Sequence, residues 1–259
     1  MSQKPFFLLT NDDGIHALGI KHLWDAVHEF ADVAIVAPDS EKSGSGVSIT
    51  NFKPIRISQV AWEKNTPAWS ITGTPADCVK MGVSVLLDRT PDFVLSGVNN
   101  CSNSGCTLFY SGTVGGAIEG ALRGIPSLAF SFSDPSLPPL GSARTLLASL
   151  VKHFLANPIP SGTLMNINFP KNCPQKINGF RMAKQGRGYW IEHPDHRTQP
   201  EGISYYWLGS RWSDHPEDPE SDVALLEQGY VTAVPLCIEN LTHHELLEKH
   251  RSSFESLTH

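Results

Sequence analysis

Asp12 and Asp13 are adjacent carboxylates just past the apolar run Phe6–Leu9. Two like charges this close repel unless something positive lies near them. A hard divalent cation with oxygen ligands solves that problem. The plainer alternative is that one carboxylate caps the next helix and the other faces solvent. Three further segments carry candidate chemistry. Ser43 sits in Lys42-Ser43-Gly44-Ser45-Gly46, where glycines admit a ligand close to the backbone and a hydroxyl oxygen suits a metal or a phosphate. A surface loop has the same composition. Asn99, in Ser96-Gly97-Val98-Asn99-Asn100, offers an amide oxygen to a hard cation, or serves only as a turn residue. Tyr110-Ser111-Gly112-Thr113 leads into a helix whose first N–H groups and hydroxyls make an anion seat, or a simple cap.

Positioning these groups requires elements that end where the polar segments begin. Residues 6–10 (FFLLT) predict a buried strand, and Asn-Asp-Asp-Gly a turn. Leu18, Leu23, Val27 and Phe30 predict a helix within 16–30, and 32–37 (DVAIVA) a second strand stopped by Pro38. This strand–turn–helix–strand unit opens a parallel α/β sheet. Residues 39–46 read as a loop, and 47–72 as a β excursion from the main sheet. Thr74-Pro75 starts a helix to about Leu87. Strands follow at 92–96, 127–132 and 163–168, with helices at 113–123 and 142–156. After about residue 170, Pro, Gly, His and aromatic residues become frequent. β-like segments lie near 177–183 and 202–208, then a helix at 220–228, a strand at 230–236 and a helix at 241–256. The expected layout is one domain over 1–259, with an α/β catalytic core over about 1–170 and an extension over about 171–259 used in subunit contacts. In open α/β sheets, sites form outside the carboxyl ends of strands. Segments 10–14, 38–46 and 97–113 all fall at such ends.

The 259 residues suit one large α/β domain. With 40% hydrophobic and 18% charged residues, the composition is that of an ordinary globular enzyme. The net charge of -6, with no basic run, argues against a nucleic-acid duplex as partner. A small phosphorylated substrate stays compatible, because a bound metal reverses the local field. Cys78, Cys101, Cys106, Cys173 and Cys237 form an odd, scattered set, which reads as reduced thiols in the cytoplasm. The first apolar run is too short for a signal sequence. No segment approaches the roughly 20 apolar residues of a membrane span.

Other clusters are weaker. Glu192-His193-Pro194-Asp195-His196 looks metal-like, but its proline breaks helical spacing and no partner cysteine is evident. Cys101 and Cys106 are one pair without a second, which disfavours zinc. His16, His243 and His244 read as helix-start residues. Neither a G-x-S-x-G elbow nor a Walker A pattern occurs.

Taken in order, LLTNDDGIHALGI, AIVAPDSEKSGSG, TGTPADCV, DFVLSGVNNCSNSG and YSGTVGGAIEGALRGIPSLAFS resemble the motifs of SurE, the stationary-phase survival protein family. ISYYWLG and SDVALLEQGYVTAVPL extend the resemblance to about Leu236. It implies a Rossmann-like, three-layer α/β core with a mainly parallel sheet and a C-terminal β-rich and helical extension that builds a homodimer or homotetramer. It further implies hydrolysis of nucleoside monophosphates, typically at the 5′ position, with 3′-nucleotides or short polyphosphate as further substrates. One divalent cation, Mg²⁺ or Mn²⁺, would be held by Asp12, Asp13, Ser43 and Asn99. Asn103, Ser111, Gly112 and Thr113 would lie at the phosphate. Gly105-Cys106-Thr107 departs from the pattern, since an acid often precedes the Y-S-G-T turn in this family.

The reaction expected from this site is metal-assisted hydrolysis of a phosphomonoester. Asp12 or Asp13 would orient or deprotonate the water, and Thr113 with nearby N–H groups would stabilise charge on the transferring group. Attack by an aspartate is the alternative within the class. A non-catalytic metal- or nucleotide-binding protein is the rival from another class. A metal-independent serine or cysteine hydrolase is disfavoured, because no such residue has a recognisable activating arrangement.

Overall fold

The structure is a computed structural model that describes residues 4–257, apart from 135–137, 139, 140 and 214. Its elements, in order, are β1 (Phe6–Thr10), α1 (Leu18–Val27), β2 (Asp32–Pro38), β3 (Ile57–Gln59), β4 (Ala68–Ile71), α2 (Pro75–Met81), β5 (Phe93–Asn99), α3 (Gly112–Leu122), β6 (Ser127–Phe132), α4 (Arg144–Ala156) and β7 (Thr163–Phe169). There follow β8 (Phe180–Met182), β9 (Trp190–Ile191), β10 (Asp195–Thr198), β11 (Ser204–Trp207), β12 (Arg211–Trp212), α5 (Asp222–Glu227), β13 (Val231–Cys237) and α6 (His244–Glu255).

Nine strands form the main sheet in the order β3-β4-β2-β1-β5-β6-β7-β13-β8. From β4 to β7 every pairing is parallel. β13 runs antiparallel to β7, and β8 is parallel to β13. The chain leaves β1 for β2 on one side and later returns to β5 on the other. The crevice beyond β1 and β5 is therefore the topological switch point.

Strand alternation builds the three layers. Phe7 and Leu9 of β1 face a core shared with Ile20 and Leu23 of α1 and Leu147 and Val151 of α4. Leu8 faces the other way, with Val36 and with Cys78 and Val79 of α2. α3 covers the same side through Val114, Ala117 and Ala121. The start of α2 is a capping box: Thr74 Oγ1 accepts from the Asp77 N–H at 3.1 Å, and Asp77 Oδ2 accepts from the Thr74 N–H at 2.9 Å.

Residues 47–72 do not leave the main sheet as the alternation suggests. β4 pairs with β2 in parallel, and β3 follows antiparallel as the edge strand. β5 runs to Asn99, further than the apolar run alone indicates, and so carries a predicted site residue inside a strand. β13 belongs to the central sheet, beside β7. The β10–β11 and β9–β12 pairs form separate two-stranded sheets, and every residue of β10 and β11 is exposed.

α3 carries a stripe of small residues at i, i+4 and i+8: Gly112, Gly116 and Gly120. A Cβ at Gly120 would meet Ser127 Oγ at 2.3 Å and Val94 Cγ2 at 2.8 Å. At Gly116 it would meet Thr10 Cγ2 at 2.9 Å, and at Gly112 Asp12 Cβ at 2.8 Å. Each helical glycine costs about 1 kcal/mol in intrinsic propensity relative to alanine. The return is an axis close against β1, β5 and β6, with the first turn of α3 pressed onto the end of β1.

Candidate active site

Three backbone hydrogen bonds tie the polar segments together beyond the strand ends. The Ile15 N–H donates to the Pro38 carbonyl (2.8 Å), the Lys42 N–H to the Asp12 carbonyl (2.7 Å), and the Gly46 N–H to the Tyr110 carbonyl (3.0 Å). The acid pair, the 39–46 loop and the turn before α3 thus form one assembly.

Asp12 is only 4% exposed. Burial pushes its carboxyl above the usual carboxylate range, opposed by the Thr113 hydroxyl and by backbone N–H groups that include those of Thr113 and Gly112. The Thr113 hydroxyl, itself fully buried, donates to Asp12 Oδ1. The first turn of α3 therefore already engages the Asp12 carboxyl, at a place where the dipole and free N–H groups favour negative charge. Asp13 is half-buried and is pushed up to about 6 by burial, then by the charges of Asp12 and Glu41.

Ser111 caps α3, its Oγ accepting from the Val114 N–H at 3.1 Å. Asn99 donates through Nδ2 to the Cys101 carbonyl at 2.8 Å, which commits its nitrogen and leaves the amide oxygen as the end open to a ligand. Burial and the charges of Asp13 and Asp12 raise the Cys101 thiol, so this turn lies within the field of the acid pair. Ser43 is exposed and donates to Glu41 Oε1 at 2.6 Å. Asn103 is buried in an amide network. Its N–H donates to Asn168 Oδ1 (2.8 Å), its Nδ2 to Ser131 Oγ (2.8 Å), and its carbonyl accepts from Asn166 Nδ2 (2.9 Å). The structure gathers Asp12, Asp13, Gly112 and Thr113 directly, with Asn99 at the end of β5 and Ser43 on the adjoining loop. Asn103 is anchored to β6 and β7.

Several participants are not singled out by the sequence. Asn11 donates through Nδ2 to the Gly14 carbonyl at 2.9 Å, while its Oδ1 is buried with no partner. Glu41 adds a third carboxylate charge. Asp222 accepts from the N–H groups of Gly105 (3.0 Å), Gly186 (2.8 Å) and Val223 (2.9 Å). A carboxylate thus does reach the Gly105-Cys106-Thr107 turn, from α5. A local signal existed only for Asn11, inside the Asn-Asp-Asp-Gly turn.

These groups fit a hard divalent cation. The candidate donors are carboxylate, hydroxyl and amide oxygens, the set such ions select. The charges of Asp12 and Glu41 both act on Asp13, burial raises Asp12 and Asp13, and the nearby Lys42 ammonium is turned to Asp39 at 3.4 Å and Ser40 at 2.8 Å. Among the described residues, no group of three His, Cys, Asp or Glu side chains is placed as a metal cage.

Fold and site together define an α/β protein with an acidic, oxygen-rich crevice at the switch point of a parallel sheet. The family model described as Survival protein SurE matches residues 7–192. A protein named 5′-nucleotidase SurE from Protochlamydia amoebophila is 44% identical over 258 residues, 99% of each chain. Another of that name, from Christiangramia forsetii, is 39% identical over 245 residues, 93% of this chain and 94% of the relative. The crystal structure of SurE protein from Aquifex aeolicus superposes with a TM-score of 0.82 at 34% identity, covering 96% of this chain and all of that one. This chain belongs to the SurE family.

The raised acid pair sets a pH dependence. A divalent cation held here would bind the deprotonated pair, and burial with the charges of Asp12 and Glu41 pushes the Asp13 carboxyl up to about 6. Lowering the pH through that value makes the cation compete with a proton, so affinity falls as pH falls and levels off above it. Mn²⁺ titration followed by electron paramagnetic resonance should give about tenfold weaker binding near pH 5 than near pH 7.5. Equal affinity at both would show that Asp13 does not face the ion.

Proposed function

We propose that this chain is a divalent-metal-dependent phosphomonoesterase that hydrolyses nucleoside 5′-monophosphates to nucleoside and phosphate. 3′-Monophosphates and short polyphosphate are the candidates for a wider range. The relatives named 5′-nucleotidase, matched over nearly the whole chain, support the reaction class. The observation that carries the site is the Thr113–Asp12 hydrogen bond, which locks a buried carboxylate to the first turn of α3 beside a second, half-buried one.

One Mg²⁺ or Mn²⁺ would be held by Asp12, Asp13, Ser43 and Asn99. Such a cation, when bound, supplies positive charge to the phosphoryl oxygens and makes a nearby water easier to deprotonate. The chain's own part is positioning and proton handling. Thr113 fixes the rotamer of Asp12 and, by donating to it, favours its ionised form against the effect of burial. Asp13, raised toward neutrality, suits a group that accepts a proton from water near pH 7. Ser111 orders the turn through which the backbone of Gly112 approaches Asp12.

Residues 171–259 serve assembly into a homodimer or homotetramer. The support is the exposed β10–β11 pair, with Tyr205, Tyr206 and Trp207 on its surface, and α6, which buries none of its side chains. The five thiols, none of them in a disulfide, suit a reducing compartment such as the cytoplasm. Among the described residues no helix is long and apolar enough to cross a membrane.

Phosphate release from a panel of nucleoside monophosphates should require Mn²⁺ or Mg²⁺ and stop with EDTA. It should fall at least a hundredfold in Asp13→Asn. A folded, metal-loaded protein that releases no phosphate would leave the binding-protein reading. Light scattering should give two or four times the 28.3 kDa of one chain. A monomer would remove the assembly role.

A further inference from the structure

The first turn of α3 has few donors to spare. The Thr113 hydroxyl is committed to Asp12, the Gly112 and Thr113 N–H groups act on the same carboxylate, and the Val114 N–H is taken by the Ser111 cap. A phosphoryl group arriving at this corner needs hydrogen bonds from elsewhere. Ser45 is placed to give one. Its Oγ lies 2.6 Å from the point where a Cβ on Gly112 would stand, and Asp12 Oδ2 lies 3.0 Å from that same point. The oxygen is buried and has no hydrogen-bond partner. A buried hydroxyl left unpaired costs roughly 1–3 kcal/mol, so a native one signals a missing partner.

The loop holds Ser45 there firmly. The Ser45 N–H donates to the Lys42 carbonyl at 3.1 Å, and its carbonyl accepts from the Ser48 N–H at 3.2 Å. On either side, the Lys42 N–H is bonded to the Asp12 carbonyl and the Gly46 N–H to the Tyr110 carbonyl. A Cβ on Gly115 would meet the Gly46 carbonyl at 2.1 Å, so the loop lies directly on α3. By contrast the neighbouring Ser43 hydroxyl is exposed and bonded to Glu41. Ser43 and Ser45 of this loop thus face different chemistry.

We propose that the Ser45 hydroxyl is a substrate-binding donor that hydrogen-bonds a phosphoryl oxygen at the start of α3. The proposal rests on the phosphomonoesterase reading above. A hydroxyl can donate to an anionic phosphoryl oxygen in both ground and transition states, and hydrogen bonds to charged groups are the stronger kind. Asp12, held by Thr113, faces the cation, while Ser45 faces the anion the cation also contacts.

The test is calorimetric titration of inorganic phosphate, the reaction product, into Mn²⁺-loaded wild type and Ser45→Ala, with Mn²⁺ affinity measured separately without phosphate. Phosphate binding should weaken about tenfold in Ser45→Ala, while Mn²⁺ affinity stays within about twofold. Unchanged phosphate affinity overturns the proposal. Equal loss of Mn²⁺ and phosphate affinity also overturns it, because the hydroxyl would then act through Asp12. If wild type neither binds phosphate nor hydrolyses any phosphomonoester with Mn²⁺, the reading of the site fails first. If wild type is active and the variant binds phosphate equally well, only the Ser45 assignment fails.

Discussion

The arrangement depends on a buried carboxylate meeting the start of a helix. Asp12 sits at the end of a fully buried strand, where an ionised side chain would be strongly disfavoured alone. The Thr113 hydroxyl and the N–H groups of the first turn of α3 compensate it. That contact is possible only because Gly112 has no side chain: a Cβ there would lie 2.8 Å from Asp12 Cβ. The glycine stripe of α3 serves this approach along its whole length, at a cost in helix propensity that the packing of Val114, Ala117 and Ala121 offsets.

The remaining parts keep that corner rigid. Backbone hydrogen bonds from Lys42 to Asp12 and from Gly46 to Tyr110 hold the second loop against the first and third. The asparagines of β7 hold Asn103, and the Asp222 carboxylate holds Gly105. Both anchors satisfy otherwise unpaired backbone groups on a long loop, where a lapse would be costly. Asp222 also binds the Gly186 N–H, so the loop leading to α3 is fastened to the segment that feeds the exposed β9–β12 and β10–β11 pairs. The loop leading to α3 and the C-terminal β pairs are thereby joined through one buried carboxylate.

Much of this was legible in the residues. The apolar runs of β1, β2 and β6 marked strands to within a residue, because a parallel strand buried on both faces leaves little room for polar side chains. The acid pair stood out because adjacent carboxylates need compensation. What could not be read locally were pairings. The 57–71 segment gives no sign that it joins β2, since an edge hairpin alternates in the same way wherever it docks. Nor does Asp222 announce its bond to Gly105, 117 residues away. The end of β5 was missed because Gly97 and Asn99 carry turn chemistry, yet they extend the sheet, with a register shift against β6. The difference between Ser43 and Ser45 depends on which way each hydroxyl points, and composition is silent on that.

In the function proposed above, the Thr113 hydroxyl favours the charged form of Asp12 and orients it for a cation. The most direct measurement is Mn²⁺ affinity, by electron paramagnetic resonance at neutral pH, in Thr113→Val and Thr113→Ser. Valine keeps the shape and removes the donor, while serine keeps the donor. Binding should be at least tenfold weaker with valine and near wild type with serine, after folding is confirmed for both. Wild-type affinity in Thr113→Val would contradict it, and would mean that the contact between Thr113 and Asp12 does no more than pack the start of α3.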